Sequence, residues 1–425
     1  MEEKKIKKKK RVRKDRSKIT SLSERHIISE KHPFYKECDE LCFLSKNLYN
    51  ATLFVQRQSF FDKNFRNYHS VNKEFTMDNQ VDYRALPAKV SKQTQMLVQQ
   101  NFSSFFALLE KSAKGKYDKR VQIPRYLKKD GRQVINYEKG ALSLKKEGFI
   151  KLSKTDIEIK TKIAKEQITN VRIVPKGSHY VIEVLYDVPK VEIKKNNFSR
   201  VAFIDPGMNN LMTVTSNVFH PVIYNGRVAK SINQLYNKER AKKQSKLQRR
   251  KLTVLTSTKS KIDDLLKPKQ LKQSKALDNI TNRRNLRIHD LFHKITTHLV
   301  NYLVANDIRT VIFGHNVGQK QNINMGAKTN QNFVSLPFTK LISMLEYKCE
   351  LKGIRFIVTE ESHTSKCSFI DKEEVGHHEN YVGKRVKRGL FKTKESILIN
   401  ADINGSLNIG RKYMQSQKKI HQQNP

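Results

Sequence analysis

Long apolar runs are missing from this chain. No stretch of about 18 apolar residues occurs, which excludes a membrane-spanning helix, and charge rather than an apolar signal-peptide core follows Met1. Neither export nor membrane insertion is therefore expected. Cysteine is scarce as well: Cys38, Cys42, Cys349 and Cys367 show no framework spacing, so all four are read as thiols in a reducing compartment. The third shortage is of acid. Lys and Arg number 84 against 40 Asp and Glu, a formal net charge of +44. So cationic a compact state repels itself unless a large polyanion neutralises it, and nucleic acid fits that role better than a membrane surface.

With 425 residues the chain has room for two or three domains. Residues 4–18 are a Lys/Arg block with almost nothing apolar to bury, so residues 1–30 read as a disordered, polyanion-binding arm. From Lys36 to Asn64, and again from Leu86 to Lys114, apolar residues recur at helical spacing, with no breaker in the first stretch and none after Pro87 in the second, which makes 31–114 a mainly helical unit. Phe102, Phe105 and Phe106 belong to its core rather than to a base-stacking surface. Period-two alternation then marks 115–190 as a small antiparallel β unit. Its exposed cations Lys116, Arg120, Arg125, Lys128, Lys129 and Arg132 suit a phosphate backbone. A polar linker, 191–199, follows.

The rest of the chain is organised around RVAFIDPGMNNLMTVT, residues 200–215. Val201–Ile204 form a strand that ends in Asp205, Pro206–Gly207 break it, and Leu211–Val214 return as a hairpin partner; Pro221–Gly226 add a third strand. Residues 229–304 read as a basic helical hairpin, irregular from about Leu252 to Ser274, whose second arm carries Leu286, Ile288, Leu291, Phe292, Ile295, Leu299 and Leu303 in helical register. A buried strand at 309–313, a helix at 339–352 and a strand at 355–361 imply a parallel pair with a right-handed crossover. Asp402 opens a last helix.

In such a sheet Asp205, Glu360 or Glu361, and Asp402 can meet at one edge. Carboxylates gathered in this way hold Mg2+ through hard oxygens, and two such ions about 4 Å apart can activate a water and stabilise the leaving oxygen in phosphodiester cleavage. Without a cation their mutual repulsion raises their pKa values, so metal loading and deprotonation are coupled. This layout is the ribonuclease-H-like one.

Several stretches, in one order along the chain, carry a more specific likeness: LCFLSKNLYNATLF, LPAKVSKQTQMLVQQNFSSFFALL, IPRY, FIDPGMNNLMTVTS, NGRVAKSINQLYNKERAK, IHDLFHK, EESHTSKCSFID and NADINGSLNIGRK. With them the chain resembles the TnpB-type RNA-guided DNA endonucleases of insertion sequences, which are related to compact type V CRISPR effectors. The resemblance implies an α+β N-terminal lobe, a β-barrel-like wedge with a helical recognition insertion, and an α/β RuvC nuclease domain over 200–425. It implies a transposon-encoded, cytoplasmic, nucleoid-associated enzyme of DNA recombination that binds guide RNA and double-stranded DNA and cuts beside a short flanking motif. Asp205 and Asp402 would be its first and third RuvC carboxylates. Where relatives end the fourth strand with Glu, this chain has Gly314, His315 and Asn316, so the middle carboxylate is assigned to Glu361, with Glu360 as its substitute. Two Mg2+ ions are expected on Asp205, Glu361 and Asp402.

The zinc-finger-like insertion, 363–395, lacks the family's paired cysteines. His363, Cys367, His377 and His378 are the only weak Zn2+ ligands there, and the segment is expected to pack without metal. Lys242, Lys243, Arg249, Arg250, Lys251, Arg283, Arg284 and Arg287 would line a nucleic-acid channel, because acids able to pair with them are scarce. Two rival readings remain: a nuclease-inactive RNA-guided DNA-binding regulator, and an RNA-independent recombinase of ribonuclease-H fold.

Overall fold

A computed structural model describes residues 18–193, 198–257, 274–316 and 336–423, with the backbone alone at 248–257 and 418–423. Of the basic block at 4–18 only Lys18 falls inside these ranges, as do only the flanks of the 191–199 linker. The fold is mixed α and β, and contacts divide it into two units, Met1–Pro189 and Lys190–Pro425.

In the first unit, α1 (Tyr35–Phe61), α2 (Tyr68–Met77), α3 (Val81–Arg84) and α4 (Ala88–Ala113) follow a strand, β1 (Ile19–Ile28). The periodic stripes do the packing: Leu48 and Leu53 of α1 and Val90, Val98 and Phe102 of α4 are fully buried. Phe102, Phe105 and Phe106 close on Phe60 and Phe65 in one aromatic cluster, so these rings are core. Strands β2 (Ile135–Glu138), β6 (Ile168–Pro175) and β7 (Tyr180–Pro189) join β1 in an antiparallel sheet of order β1-β7-β6-β2, and β3 (Leu142–Ser143), β4 (Phe149–Leu152) and β5 (Glu158–Lys160) form a second one.

Two expectations are corrected in this unit. Residues 19–28, placed in the disordered arm, pair with β7 along their whole length. β1 is an edge strand that buries only Ile28, so main-chain hydrogen bonds rather than apolar burial hold it, and its sequence carries little apolar signal. Residues 115–134, read as β, contain no strand. Side chains of α1 hold them instead: Asn50 donates to Leu127 O (3.0 Å) and accepts from Leu127 N (2.9 Å), and Arg57 donates to Pro124 O (2.6 Å).

The second unit is built on β8 (Val201–Pro206), β9 (Asn210–Ser216), β10 (Val222–Asn225), β11 (Thr310–Gly314) and β12 (Arg355–Thr359), in the order β10-β9-β8-β11-β12. The first three run antiparallel, while β8, β11 and β12 are parallel. Between them lie α5 (Arg227–Ser257), α6 (Lys275–Ala305) and α7 (Phe338–Glu350). A small sheet of β13 (Lys384–Lys387), β14 (Leu390–Lys392) and β15 (Leu398–Asn400) leads into α8 (Ala401–Gln423).

Pleat alternation divides the sheet between two layers. Ala202, Ile204, Val311 and Phe313 pack with α6 and α7, whereas Val201, Phe203, Ile312 and Ile357 pack with Ile409 and Tyr413 of α8. Leu286, expected in the α6 core, is 39% exposed; Ile288, Phe292, Leu299 and Leu303 carry that seam. The stretch read as irregular from Leu252 is helical to Ser257, and 258–273 lies outside the described residues. Among the described residues no helix is long and apolar enough to cross a membrane.

Candidate functional site

Parity decides which acids meet. Asp205 continues the 201, 203 face of β8 and so points to the α8 layer. On β12 Ile357 faces α8, so Glu361, two pleats further, returns to that side. The strand ends at Thr359, short of the expected 361, and Asn316 takes over the end of it by accepting Glu361 N at 2.9 Å.

Two glycines make the room. A Cβ on Gly405, one turn into α8, would stand 2.7 Å from Asp205 Oδ2, so the carboxylate lies directly against the helix backbone. A Cβ on Gly314 would stand 3.0 Å from Glu361 Oε2 and 2.5 Å from Ile409 Cδ1. Glu361 thus carries its carboxylate over the end of β11 from beyond β12. Asp402 takes part from the first turn of α8, where its Oδ2 accepts from Asn210 Nδ2 at 2.6 Å and its Oδ1 lies 3.5 Å from Arg385 Nη2.

Burial holds the Asp205 carboxyl well above the usual carboxylate range, and the neighbouring Glu361 and Asp402 raise it further, while Arg385 works the other way. Part of Asp205 still reaches solvent at the rim. Glu360 is placed differently: exposed, it accepts from Ser362 Oγ at 2.6 Å and Lys412 Nζ at 3.0 Å, and these bonds hold its pKa below the usual range. Asp205, Glu361 and Asp402 therefore form one electrostatic cluster, and Glu360 faces another partner.

The donor set fits a hard divalent cation, since all three groups offer carboxylate oxygens and the desolvated Asp205 is costly as a lone anion. Among the described residues, however, no three His, Cys, Asp or Glu side chains already stand as a coordination shell. Asp402 is engaged by Asn210 and Arg385 instead. Beside it opens a cleft of about 790 Å³, lined by Asn210, Arg227, Arg385, Lys387, Arg388 and Asp402.

The weak zinc candidates have other partners. Cys367 is a buried thiol whose Sγ lies 3.6 Å from Gly376 O, His378 Nε2 meets Glu374 O at 2.7 Å, and the His363 and His377 rings stack edge to face at 5.7 Å.

The basic residues divide into two groups. Lys116, Arg120, Arg125, Lys128, Lys129, Lys242, Lys243, Arg283 and Arg287 are exposed. Arg132 and Arg284 are only half-exposed and have partners within the protein. Arg132 is paired with Asp39 at 2.7 Å, and Arg284 donates to Asn233 Oδ1 at 2.6 Å, its pKa lowered by burial. The side chains of Arg249, Arg250 and Lys251 lie outside the described ones.

Sequence reasoning missed Asn210, Asn316 and Arg385 at the carboxylates. It also missed the polar buried face of α8. Asn404 donates to Cys367 O (2.8 Å) and Asn408 to Thr364 O (2.9 Å) and Cys367 O (2.7 Å), fastening the loop after Glu361 to the helix, while Ser406 donates to Phe203 O of β8 (2.9 Å). The signal was present in NADINGSLNIG, where Asn404 and Asn408 stand four apart on a helix otherwise judged by its apolar residues.

Residues 182–320 match the OrfB_IS605 family, described as probable transposase, and residues 338–409 match the Cas12f1-like TNB domain. Both matches, like the relatives that follow, make the chain similar to the TnpB-type proteins and the Cas12f-like effectors. The TnpB-like protein ORF457 of Acidianus two-tailed virus is 22% identical over 415 residues, covering 88% of this chain and 82% of that protein. Among solved structures, a Cas12f1-sgRNA-target DNA complex aligns with a TM-score of 0.47 at 18% identity, over 88% of this chain and 82% of that one. The mini-RNA-guided endonuclease CRISPR-Cas_phi3 aligns with a TM-score of 0.41 at 12% identity, over 93% and 92%.

Proposed function

We propose that this protein is an RNA-guided DNA endonuclease, encoded by a transposon, whose second unit is a RuvC nuclease of ribonuclease-H-like fold. The observation that carries the reading is the convergence of Asp205, Glu361 and Asp402, about 200 residues apart from first to last, on one rim where burial, Glu361 and Asp402 together raise the Asp205 pKa. So costly a cluster has a ready use in catalysis and none in stability. The first unit, with its exposed cations, would hold the guide RNA and read a short motif beside the target, leaving sequence choice to base pairing.

Mg2+ held by the three carboxylates would supply an activated water and a stabilised leaving oxygen. The chain's own residues do the placing. Asn210 fixes one oxygen of Asp402, Asn316 anchors the main chain of Glu361, and Gly314 and Gly405 let two carboxylates approach the backbone. Arg227 and Arg388, in the adjoining cleft, are set to meet a phosphate.

The test is cleavage of a guide-matched plasmid by the protein and its copurified RNA. Cutting should require Mg2+ and disappear in Asp205→Ala. One observation favours the regulator instead: Arg385 already sets a positive charge beside Asp402, 3.5 Å from its Oδ1. Guide-dependent binding without cutting at any Mg2+ concentration would select that reading. Unchanged activity after ribonuclease treatment would select the recombinase.

A further inference from the structure

One aromatic and cationic surface of the first unit remains unused. Phe60 and Phe61 are neighbours with opposite fates: Phe60 joins the aromatic core, while Phe61 is 57% exposed. On the extended segment opposite, Ile123 and Leu127 pack into that same core and Tyr126 turns out, 46% exposed. Between the two rings comes Arg57, its guanidinium carbon 5.7 Å from the Phe61 centroid and 5.2 Å from that of Tyr126.

Both rings stay exposed although their chain neighbours are core, and the group that joins them is locked in place. Arg57 Nη1 donates to Pro124 O at 2.6 Å, and Asn50 clamps Leu127 from both sides, so the segment bearing Tyr126 is immobilised although it belongs to no sheet. Two aromatic faces and a planar guanidinium are thereby ordered in advance, which lowers the entropic cost of binding a flat ligand. Charge selects the ligand. From Lys119 to Lys129 there are five cations and no acid, and Arg125, Lys128 and Lys129 are exposed beside Tyr126.

We propose that Phe61, Arg57 and Tyr126 form a stacking platform for an unpaired base of a single-stranded nucleic acid, with Arg125 and Lys128 meeting its flanking phosphates. This rests on the reading of the chain as a nucleic-acid-binding protein and adds the place where a base leaves its stack. Base stacking on aromatic rings tolerates any base, so the platform reads strandedness rather than sequence.

The experiment uses the full chain and short single-stranded oligonucleotides carrying 2-aminopurine, one of DNA and one of RNA. Binding is followed by anisotropy and stacking by fluorescence quenching, at fixed salt. The parent should quench the probe, and the arm that quenches more identifies the strand. Phe61→Ala with Tyr126→Ala should weaken binding about tenfold, as expected for one stacked base, and abolish quenching. Tyr126→Phe should retain both. Because both rings are exposed, the melting temperature of the double variant should match the parent, and Asp205→Ala should quench normally. Parent-like quenching and affinity in the double variant would overturn the platform while leaving nucleic-acid binding intact. Failure of the parent to bind either oligonucleotide would overturn both.

Discussion

Replacing Gly405 by alanine tests the site through a single methyl group. The added Cβ would stand 2.7 Å from Asp205 Oδ2, nearer than side chains come to one another, so the carboxylate or the helix has to move. Two terms act on stability. Alanine is favoured over glycine within a helix by about 1 kcal/mol, while overpacking costs about 1–3 kcal/mol, so the net loss is about 0–2 kcal/mol. For a unit of this size each kcal/mol shifts the melting temperature by about 2–4 °C, which keeps the variant folded at ordinary assay temperatures. Activity should suffer more, because misplacing a catalytic group by about 1 Å can cost about a hundredfold in rate. The assay is the rate of Mg2+-dependent cleavage of a guide-matched plasmid, measured below both melting temperatures. Gly376→Ala is the control, since an added Cβ there meets nothing within 4 Å. A Gly405→Ala protein that melts a few degrees lower yet cuts at the parent rate would refute the placement of Asp205 at the reaction centre.

Other expectations concern the acids and one arginine. Folding holds the Asp205 carboxyl above its unfolded pKa of about 3.9, so ionisation opposes folding; the penalty is absent below that pH and complete above the folded pKa. Asp205→Asn should therefore be more stable than the parent at pH 8 and no more stable near pH 3.5, as read by denaturant unfolding in EDTA. Glu361→Gln should abolish cutting while Glu360→Gln, whose carboxylate serves Ser362 and Lys412, leaves it within a few-fold of the parent in the plasmid assay. Arg132→Ala should lose about 1 kcal/mol of stability, because its pairing with Asp39 is only partly buried, and should leave the salt dependence of nucleic-acid binding unchanged. A lower salt slope in that variant would return Arg132 to the phosphate-facing set.

Much of the outline was legible because local chemistry writes it. Helical stripes in α1, α4 and α6, the apolar run before Asp205 and the parallel pair at 310–314 and 355–359 each repeat a period that backbone geometry imposes. The first strand was not, since its stabilisation lies in pairing with β7, a partner more than 150 residues away. Nor were the engagements of Arg132 and Arg284, which look like surface cations until Asp39 and Asn233 are brought to them.

The chain alone determined which residue types were available for chemistry: two aspartates at the ends of regular elements, a pair of glutamates, and a surplus of cations that called for a polyanion. Tertiary structure separated Glu360 from Glu361. The register of β12 against the α8 layer sends one of them to Lys412 and the other over Gly314 toward Asp205. A pleat has a period of two, so neighbouring residues are chemically alike in sequence and opposite in space, and only the packing of the strand shows which of them faces the site.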